Sequence, residues 1–296
     1  MYSPLSMTER STSTAFAPLD WGLLTAVALM WGSSFLLVEI GLVDLEPGAV
    51  AWLRIVIGAV TLAAVPAARR GIHRGHWPLV ALLGLVWMTV PFLLLSIAQQ
   101  SVSSSLAGMI NGAVPLFTAA IAAAWSRRLP VGWQVAGLAI GFAGVLAINW
   151  PTSRGADATA LGAGLIVLAT LLYGVAFNLA EPLERRSGPL PVIWRAQLAA
   201  SVLAAPYGLV GLADSSFSPS SMLAVVALGA LSTGLAFAAF TTLVGRVGAS
   251  RASVTVYFLP VVAIALGVLL RDESVAALAL VGTALVLIGA FLTSRK

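Results

Sequence analysis

Ten apolar stretches follow one another along this chain, at 20–41, 48–67, 78–98, 102–125, 131–149, 160–180, 191–211, 220–243, 249–270 and 274–293. Each is about the length that crosses a bilayer core as a helix, roughly 20 residues for 30 Å. Inside a bilayer the backbone has no water to bond, so segments of this kind close their hydrogen bonds within themselves as α-helices. Composition closes off the soluble alternative. Charged residues are 9% of the chain and hydrophobic residues 59%, where a soluble domain carries about a quarter charged residues. So few charges cannot cover a surface facing water. The predicted class is an all-α integral membrane protein, and no connection between spans is long enough to fold as a soluble domain.

Residues 1–19 are rich in Ser and Thr and are read as a flexible cytoplasmic tail. They are not read as a cleaved export signal, because the apolar run behind them is of spanning length and more spans follow. An even number of spans puts both ends on one side. That side collects Arg69, Arg70, Arg74, Arg127, Arg128, Arg185, Arg186, Arg246 and Arg251, with Arg10, Arg295 and Lys296 in the tails. The opposite connections hold only Arg154 and Arg271, among Asp44, Glu46, Asp157, Asp214, Asp272 and Glu273. Basic loops stay cytoplasmic, so both termini are expected in the cytoplasm of a multi-pass protein of the bacterial inner (plasma) membrane. The net charge of +5 then reports topology. A nucleic-acid reader needs a basic face, and these arginines are scattered over short loops.

The chain also repeats itself. The run Trp31-Gly32-Ser33-Ser34-Phe35-Leu36-Leu37-Val38-Glu39 is echoed by Tyr173-Gly174-Val175-Ala176-Phe177-Asn178-Leu179-Ala180-Glu181. Later in each half, Ala107, Pro115, Gly137 and Gly144 return as Ala252, Pro260, Gly282 and Gly289. The halves are 20–149 and 160–293. Five spans each is an odd number, so the second half enters the membrane inverted relative to the first. Two inverted halves around a central cavity are the frame of an alternating-access transporter.

These runs, the Pro115 and Pro260 helices and the glycine-rich helix closing each half resemble the EamA-type drug/metabolite transporter superfamily, and within it the bacterial aromatic amino-acid exporters. The resemblance covers essentially everything after residue 19. It implies a ten-helix bundle of two inverted five-helix repeats around a cavity, and export of amino acids, other metabolites or drugs, or import of metabolites. One departure stands out. Such proteins commonly carry Gly-Glu before the last helix of each half; here the second half reads Asp272-Glu273 and the first Arg127-Arg128. A Glu that the halves do not share is not assigned the transport chemistry.

Two Glu–Arg pairs are expected at helix ends. Glu39 closes the first span near Arg54 in the second, and Glu181 closes the sixth near Arg195 in the seventh, at repeat-related places. Each pair is read either as a clamp on its helical hairpin or as a gate. By these boundaries no Asp, Glu, Lys or Arg falls in the central third of a span, although a proton relay or a phosphate site would call for one. A neutral or zwitterionic solute follows. The groups expected to bind it are Trp31, Ser34, Trp87, Asn111, Tyr173, Asn178, Phe237, Thr241 and Tyr257, aromatic walls with a few amides and hydroxyls. Any Ser or Thr among them can instead bond its own helix backbone. Asn111 lies four residues before Pro115, which lacks an N–H and frees the Asn111 carbonyl. Pro260 does the same at Val256. With Pro91 these prolines are candidate hinges or plain kinks. Gln99 and Gln100 are placed at the outer mouth, facing water. The G-x-x-x-G face of Gly137 and Gly141, with Gly144, is a close-packing surface for another helix of the bundle or for a second subunit.

The function that follows is an alternating-access secondary transporter exporting small neutral or zwitterionic metabolites, amino acids with aromatic or other apolar side chains foremost. The alternative is a broad-specificity drug or metabolite exporter. An intramembrane enzyme would need a catalytic cluster in the spans, and none is present. Cys is absent and the only histidines, His73 and His76, share one loop, so no metal or other cofactor is expected. The expected partners are the small-molecule solute and the lipid bilayer, without nucleic acid, and the protein is expected as a monomer or weak dimer.

Overall fold

A computed structural model describes residues 17–127, 132–150, 157–247 and 252–293. The tail up to residue 16, and Arg128, Arg154, Arg251, Arg295 and Lys296 of the charge pattern, lie outside the described residues. Every regular element among the described residues is helical. In the first half these are α1 (Pro18–Gly32), α2 (Ser34–Gly41), α3 (Pro47–Ala63), α4 (Trp77–Gly84), α5 (Val90–Ala98), α6 (Ser104–Asn111), α7 (Val114–Ser126) and α8 (Trp133–Asn149). The second half has α9 (Asp157–Ser187), α10 (Pro189–Leu203), α11 (Ala205–Asp214), α12 (Pro219–Ala227), α13 (Ala236–Val247), α14 (Val254–Arg271) and α15 (Ala277–Thr293).

Six of these helices or near-continuous helix runs are long and apolar enough to cross a membrane, and a seventh if α10 and α11, bent by 58°, count as one. The helices α3, α8 and α15 are apolar but have 17 residues each, roughly 25 Å at 1.5 Å per residue. That is the short limit of a span. The outer surface suits lipid: Leu269 and Val202 are about three-quarters exposed, and Val60 and Leu146 nearly as much.

Prolines and glycines set the breaks. The first span is interrupted at Ser33, between α1 and α2, and the fourth at Gly112–Ala113, between α6 and α7. Pro115 therefore sits in the first turn of α7, where its missing N–H would have had no helical partner. The helix breaks one turn before the proline instead of kinking over it. Pro91 follows the π-helical stretch directly at the start of α5, inside a helical run that is continuous over 77–98, and Pro260 lies inside α14. The second-half counterparts α9 and α14 run unbroken.

Between α4 and α5, and again between α12 and α13, the chain passes through a π-helical stretch, Leu85–Thr89 and Leu228–Leu235. In each, a threonine hydroxyl donates to the carbonyl five residues earlier: Thr89 to Gly84 and Thr233 to Leu228, both at 3.2 Å. Such widened turns free backbone groups and recur at functional sites.

The halves meet along two reciprocal contacts. Trp52 on α3 donates its indole N–H to the Ser201 carbonyl at 2.8 Å, and Trp194 on α10 donates to the Ala59 carbonyl at 3.0 Å. The same repeat offset carries donor to donor and acceptor to acceptor. The helices α8 and α15 pack through glycines. A methyl on Gly144 would lie 2.6 Å from the Gly282 carbonyl oxygen, and one on Gly282 would lie 2.7 Å from that of Gly144. Here the backbones touch, as small residues permit. The G-x-x-x-G face of α8 thus meets another helix of the same chain.

Candidate functional site

A cavity of about 110 Å³ lies among α1, α2, α3, α5, α6, α7, α9, α13, α14 and both π-helical stretches. One water needs about 10–15 Å³ in this measure, so the cavity is several times larger than a single-water void.

Six of the nine sequence-nominated binding residues line it: Trp31, Ser34, Trp87, Asn111, Tyr173 and Phe237. Its aromatic wall is continuous. Trp31 meets Phe237 edge-on at 5.7 Å, Phe237 meets Trp87 edge-on at 5.6 Å, and Trp87 meets Phe177 at 5.2 Å. The π-helical stretches place Trp87 and Ser232 in this wall. Trp31 is fixed by its indole N–H, which donates to the Ser232 carbonyl at 3.1 Å. The Ser34 and Ser232 hydroxyls donate to the Trp31 and Met30 carbonyls, so they tie backbone together at the α1–α2 break.

Three nominated residues stand outside the lining. The Asn178 amide donates to the Thr118 and Gly174 carbonyls at 3.0 and 2.8 Å, joining α9 to α7. Thr241 bonds back to the Ala238 carbonyl on its own helix. Tyr257 is half-buried against the core.

The helix-end pairs also differ from the expectation. Glu39 pairs with Arg271 of the other half at 2.7 Å, and not with Arg54. Glu181 pairs with Arg185 one turn along its own helix, an exposed pair, and not with Arg195. Arg195 donates to the Ala68 and Pro191 carbonyls. The sequence reading chose partners within one hairpin; Glu39 instead meets an arginine of a distant element, and Glu181 meets one of its own helix. The two arginines are not repeat-related either. The tryptophan contacts align Trp52 with Trp194, which sets Arg54 against Ala196 and Leu53 against Arg195.

Arg54 is the cavity-lining residue that the sequence reading misplaced. Its helix starts at Pro47 and ends at Ala63, so Arg54 is near its midpoint, and the middle of the bundle does hold a charge. The signal was present: Pro47 opens that helix and Pro66 stops it, which shortens the span predicted over 48–67. Arg54 lines the cavity and is 95% buried. Its Nε donates to the Thr233 hydroxyl at 3.3 Å, and its guanidinium carbon lies 3.8 Å above the Phe92 ring centre. Among the described residues no carboxylate pairs with it. Gln99, expected to face water, is buried in the lining; its amide donates to the Phe35 carbonyl at 2.7 Å and its Oε1 has no partner. The Asn111 Oδ1 is likewise buried without a partner.

Carboxylates tie the helices beyond the cavity. At the Glu39 end, Glu273 accepts from the Ser104 N–H and hydroxyl at 3.0 and 2.5 Å and from the Ser105 N–H at 2.9 Å, capping α6. Burial pushes the Glu273 carboxyl up, but these hydrogen bonds outweigh it and hold the group below its ordinary value. Asp44 in the turn after α2 accepts from Ser218 and Ser221 at the start of α12, which holds it low as well. At the opposite end Asp20 of α1 pairs with Arg246 of α13 at 2.5 Å. Among the described residues no group of His, Cys, Asp or Glu is placed to hold a metal.

A bundle of apolar helices in two echoing halves, enclosing a cavity, defines a multi-pass membrane protein of the transporter class. The chain belongs to the EamA-like transporter family, which matches residues 21–150 and again 160–295. It is a membrane transporter built on two copies of one repeat. Similar proteins include a probable terminal-alkyne amino-acid exporter of Streptantibioticus cattleyicolor, 26% identical over 93% of each chain. A probable amino-acid metabolite efflux pump of Escherichia coli is 26% identical over 92% of this chain and 94% of its own. Further relatives of similar identity are uncharacterized transporters. A solved crystal structure, 22% identical, superposes with a TM-score of 0.63 over 92% of this chain and 95% of that one; it speaks to the fold alone.

Proposed function

We propose that the protein exports small neutral or zwitterionic metabolites by alternating access, amino acids with aromatic or other apolar side chains first among them. The observation that carries this reading is the cavity: an aromatic wall with a few fixed polar groups, formed where helices of both halves meet. The names of two relatives, a probable terminal-alkyne amino-acid exporter and a probable amino-acid metabolite efflux pump, point the same way. In this reading the seven longer crossings and the helices α3, α8 and α15 make ten spans in two inverted repeats, with both termini in the cytoplasm. The reciprocal tryptophan and glycine contacts support the two-fold relation, because a two-fold axis is what exchanges donor with donor. Exchange of the halves' conformations would carry the cavity from one face to the other.

Counterflow in proteoliposomes tests it. Vesicles preloaded with unlabelled L-phenylalanine or L-leucine should accumulate labelled amino acid transiently and saturably. Absence of counterflow with every apolar amino acid, together with counterflow of a cationic dye, would replace this reading with the broad drug exporter.

A further inference from the structure

We propose that Arg54 is the anchor for a substrate carboxylate, and that the two unpartnered amide oxygens of Gln99 and Asn111 receive the ammonium group of the same molecule, which makes the cavity selective for α-amino acids over cationic drugs. This rests on the transport reading above and names its substrate chemistry.

The first step concerns charge. A cation buried in the middle of an apolar bundle is costly and normally paired, and where it is not paired it marks a substrate or ion path. Arg54 has no carboxylate partner among the described residues. Its two contacts orient it without neutralising it. The Nε is held by the Thr233 hydroxyl and the plane rests on Phe92. A guanidinium fixed through Nε and one face still has the fork of its terminal nitrogens, and this fork matches the two oxygens of a carboxylate.

The second step is that packing does not explain the arginine. The repeat places Ala196 at the matching position on α10, and the reciprocal tryptophan contacts run past it unchanged. The helix pair α3–α10 thus forms with alanine on one side and arginine on the other. The third step is the counter-group. Asn111 is 92% buried and Gln99 94% buried, both line the cavity, and each has a carbonyl oxygen with no donor. The Gln99 oxygen is assigned by its own amide, which donates to Phe35. Two unsatisfied acceptors and one unpaired cation in one cavity are complementary to a zwitterion. A cationic amphiphile would meet the acceptors and be repelled by Arg54.

The test is competition in the counterflow assay with molecules that share one aromatic body. L-phenylalanine has both groups, L-phenylalaninamide lacks the carboxylate, 3-phenylpropanoate lacks the ammonium, and phenethylamine keeps only the cation. A charge-assisted bidentate contact predicts that phenylalanine competes roughly ten- to hundred-fold better than its amide, with phenethylamine weakest. In Arg54→Gln the ratio of acid to amide should fall toward one, and in Arg54→Lys it should be partly kept. The ratio is independent of how much protein folds, and the wild-type series needs no variant. Equal competition by acid and amide in the wild type, or an unchanged ratio in Arg54→Gln, overturns the carboxylate anchor while leaving amino-acid transport standing. Failure of counterflow with any amino acid overturns the transport reading and this assignment with it.

Discussion

The two halves agree in how they are built and differ in what they put into the cavity. Both carry a π-helical stretch pinned by a threonine, both donate a tryptophan N–H across the α3–α10 contact, and both bring two glycines to the α8–α15 seam. Both also end a helix in the left-handed conformation on a residue that is not glycine, Arg127 at the end of α7 and Asp272 at the end of α14, each with φ 52°. At the lining the agreement is partial: Phe35 is matched by Phe177 and Trp31 by Tyr173, but other positions differ. Arg54 stands against Ala196, and Asn111 against Val256, with both members of that second pair in the cavity wall. The contacts that close the bundle recur in both halves, while part of the lining differs between them.

The glycine seam should give the largest effect, and the same one from either half. In Gly144→Leu or Gly282→Leu the added side chain must enter space already held by the opposite backbone, at 2.6–2.7 Å for its first carbon. Overpacking costs about 1–3 kcal/mol where neighbours can yield, and a facing helix backbone yields little. Both variants should lose the monodisperse peak on size-exclusion chromatography in detergent. If one is tolerated and the other is not, the seam is not equivalent from its two sides.

Converting a diverged position to its counterpart should have the opposite sign. Asn111→Val removes a buried oxygen that has no partner, a group whose burial costs about 1–3 kcal/mol. The variant should melt higher than the wild type and transport amino acids less well. A lower melting temperature would show that Asn111 serves the fold, and the division between shared and unshared positions would fail there.

Smaller still is the tryptophan pair. Trp52→Phe and Trp194→Phe each delete one hydrogen bond, worth about 0.5–1.5 kcal/mol. The two losses should be alike, and the double variant should show their sum, because separated contacts add. Unequal losses in thermal unfolding would mean that the helices cross less symmetrically than their bonds indicate.

How much of this was legible in the sequence follows from the range of each interaction. Helices and their seams are encoded locally, so the apolar runs, the Trp31 and Tyr173 echo and the Gly137/Gly144 face announced them. Six cavity-lining residues were picked out because aromatic and amide groups in the middle of apolar runs have few other reasons to be there. The misses are of more than one range. Glu39 was matched with an arginine of the next helix, while its partner, Arg271, comes from the end of α14. Asn178 reaches the Thr118 carbonyl of another helix, which the sequence does not show, while Thr241 bonds back to its own helix, the alternative open to any Ser or Thr. Arg54 was misplaced by a few residues of helix boundary, which moved a charge from the centre of the bundle to its edge. The π-helical turns left no pattern in the sequence that the reading used.

The last contrast is between Asp272-Glu273 and Arg127-Arg128, where the halves carry opposite charge before their final helices. The Glu273 carboxylate receives the first N–H groups of α6, a helix of the other half, so it works across the seam at the positive end of a helix. Its hydrogen bonds hold it below the ordinary glutamate value in the folded chain, against burial that pushes it up. A depressed folded pKa stabilises the fold fully at pH above the ordinary value of 4.5, and the contribution fades as pH falls through the lowered one. Glu273→Gln should therefore be less stable than the wild type at neutral pH, and the gap should close on acidification. Asp44, held low by Ser218 and Ser221, adds a contribution of the same sign that the variant retains. Unfolding curves at pH 7 and at progressively lower pH separate the two carboxylates. A gap that stays constant with pH would mean that glutamine's bulk, and not the carboxylate's charge, is what α6 senses.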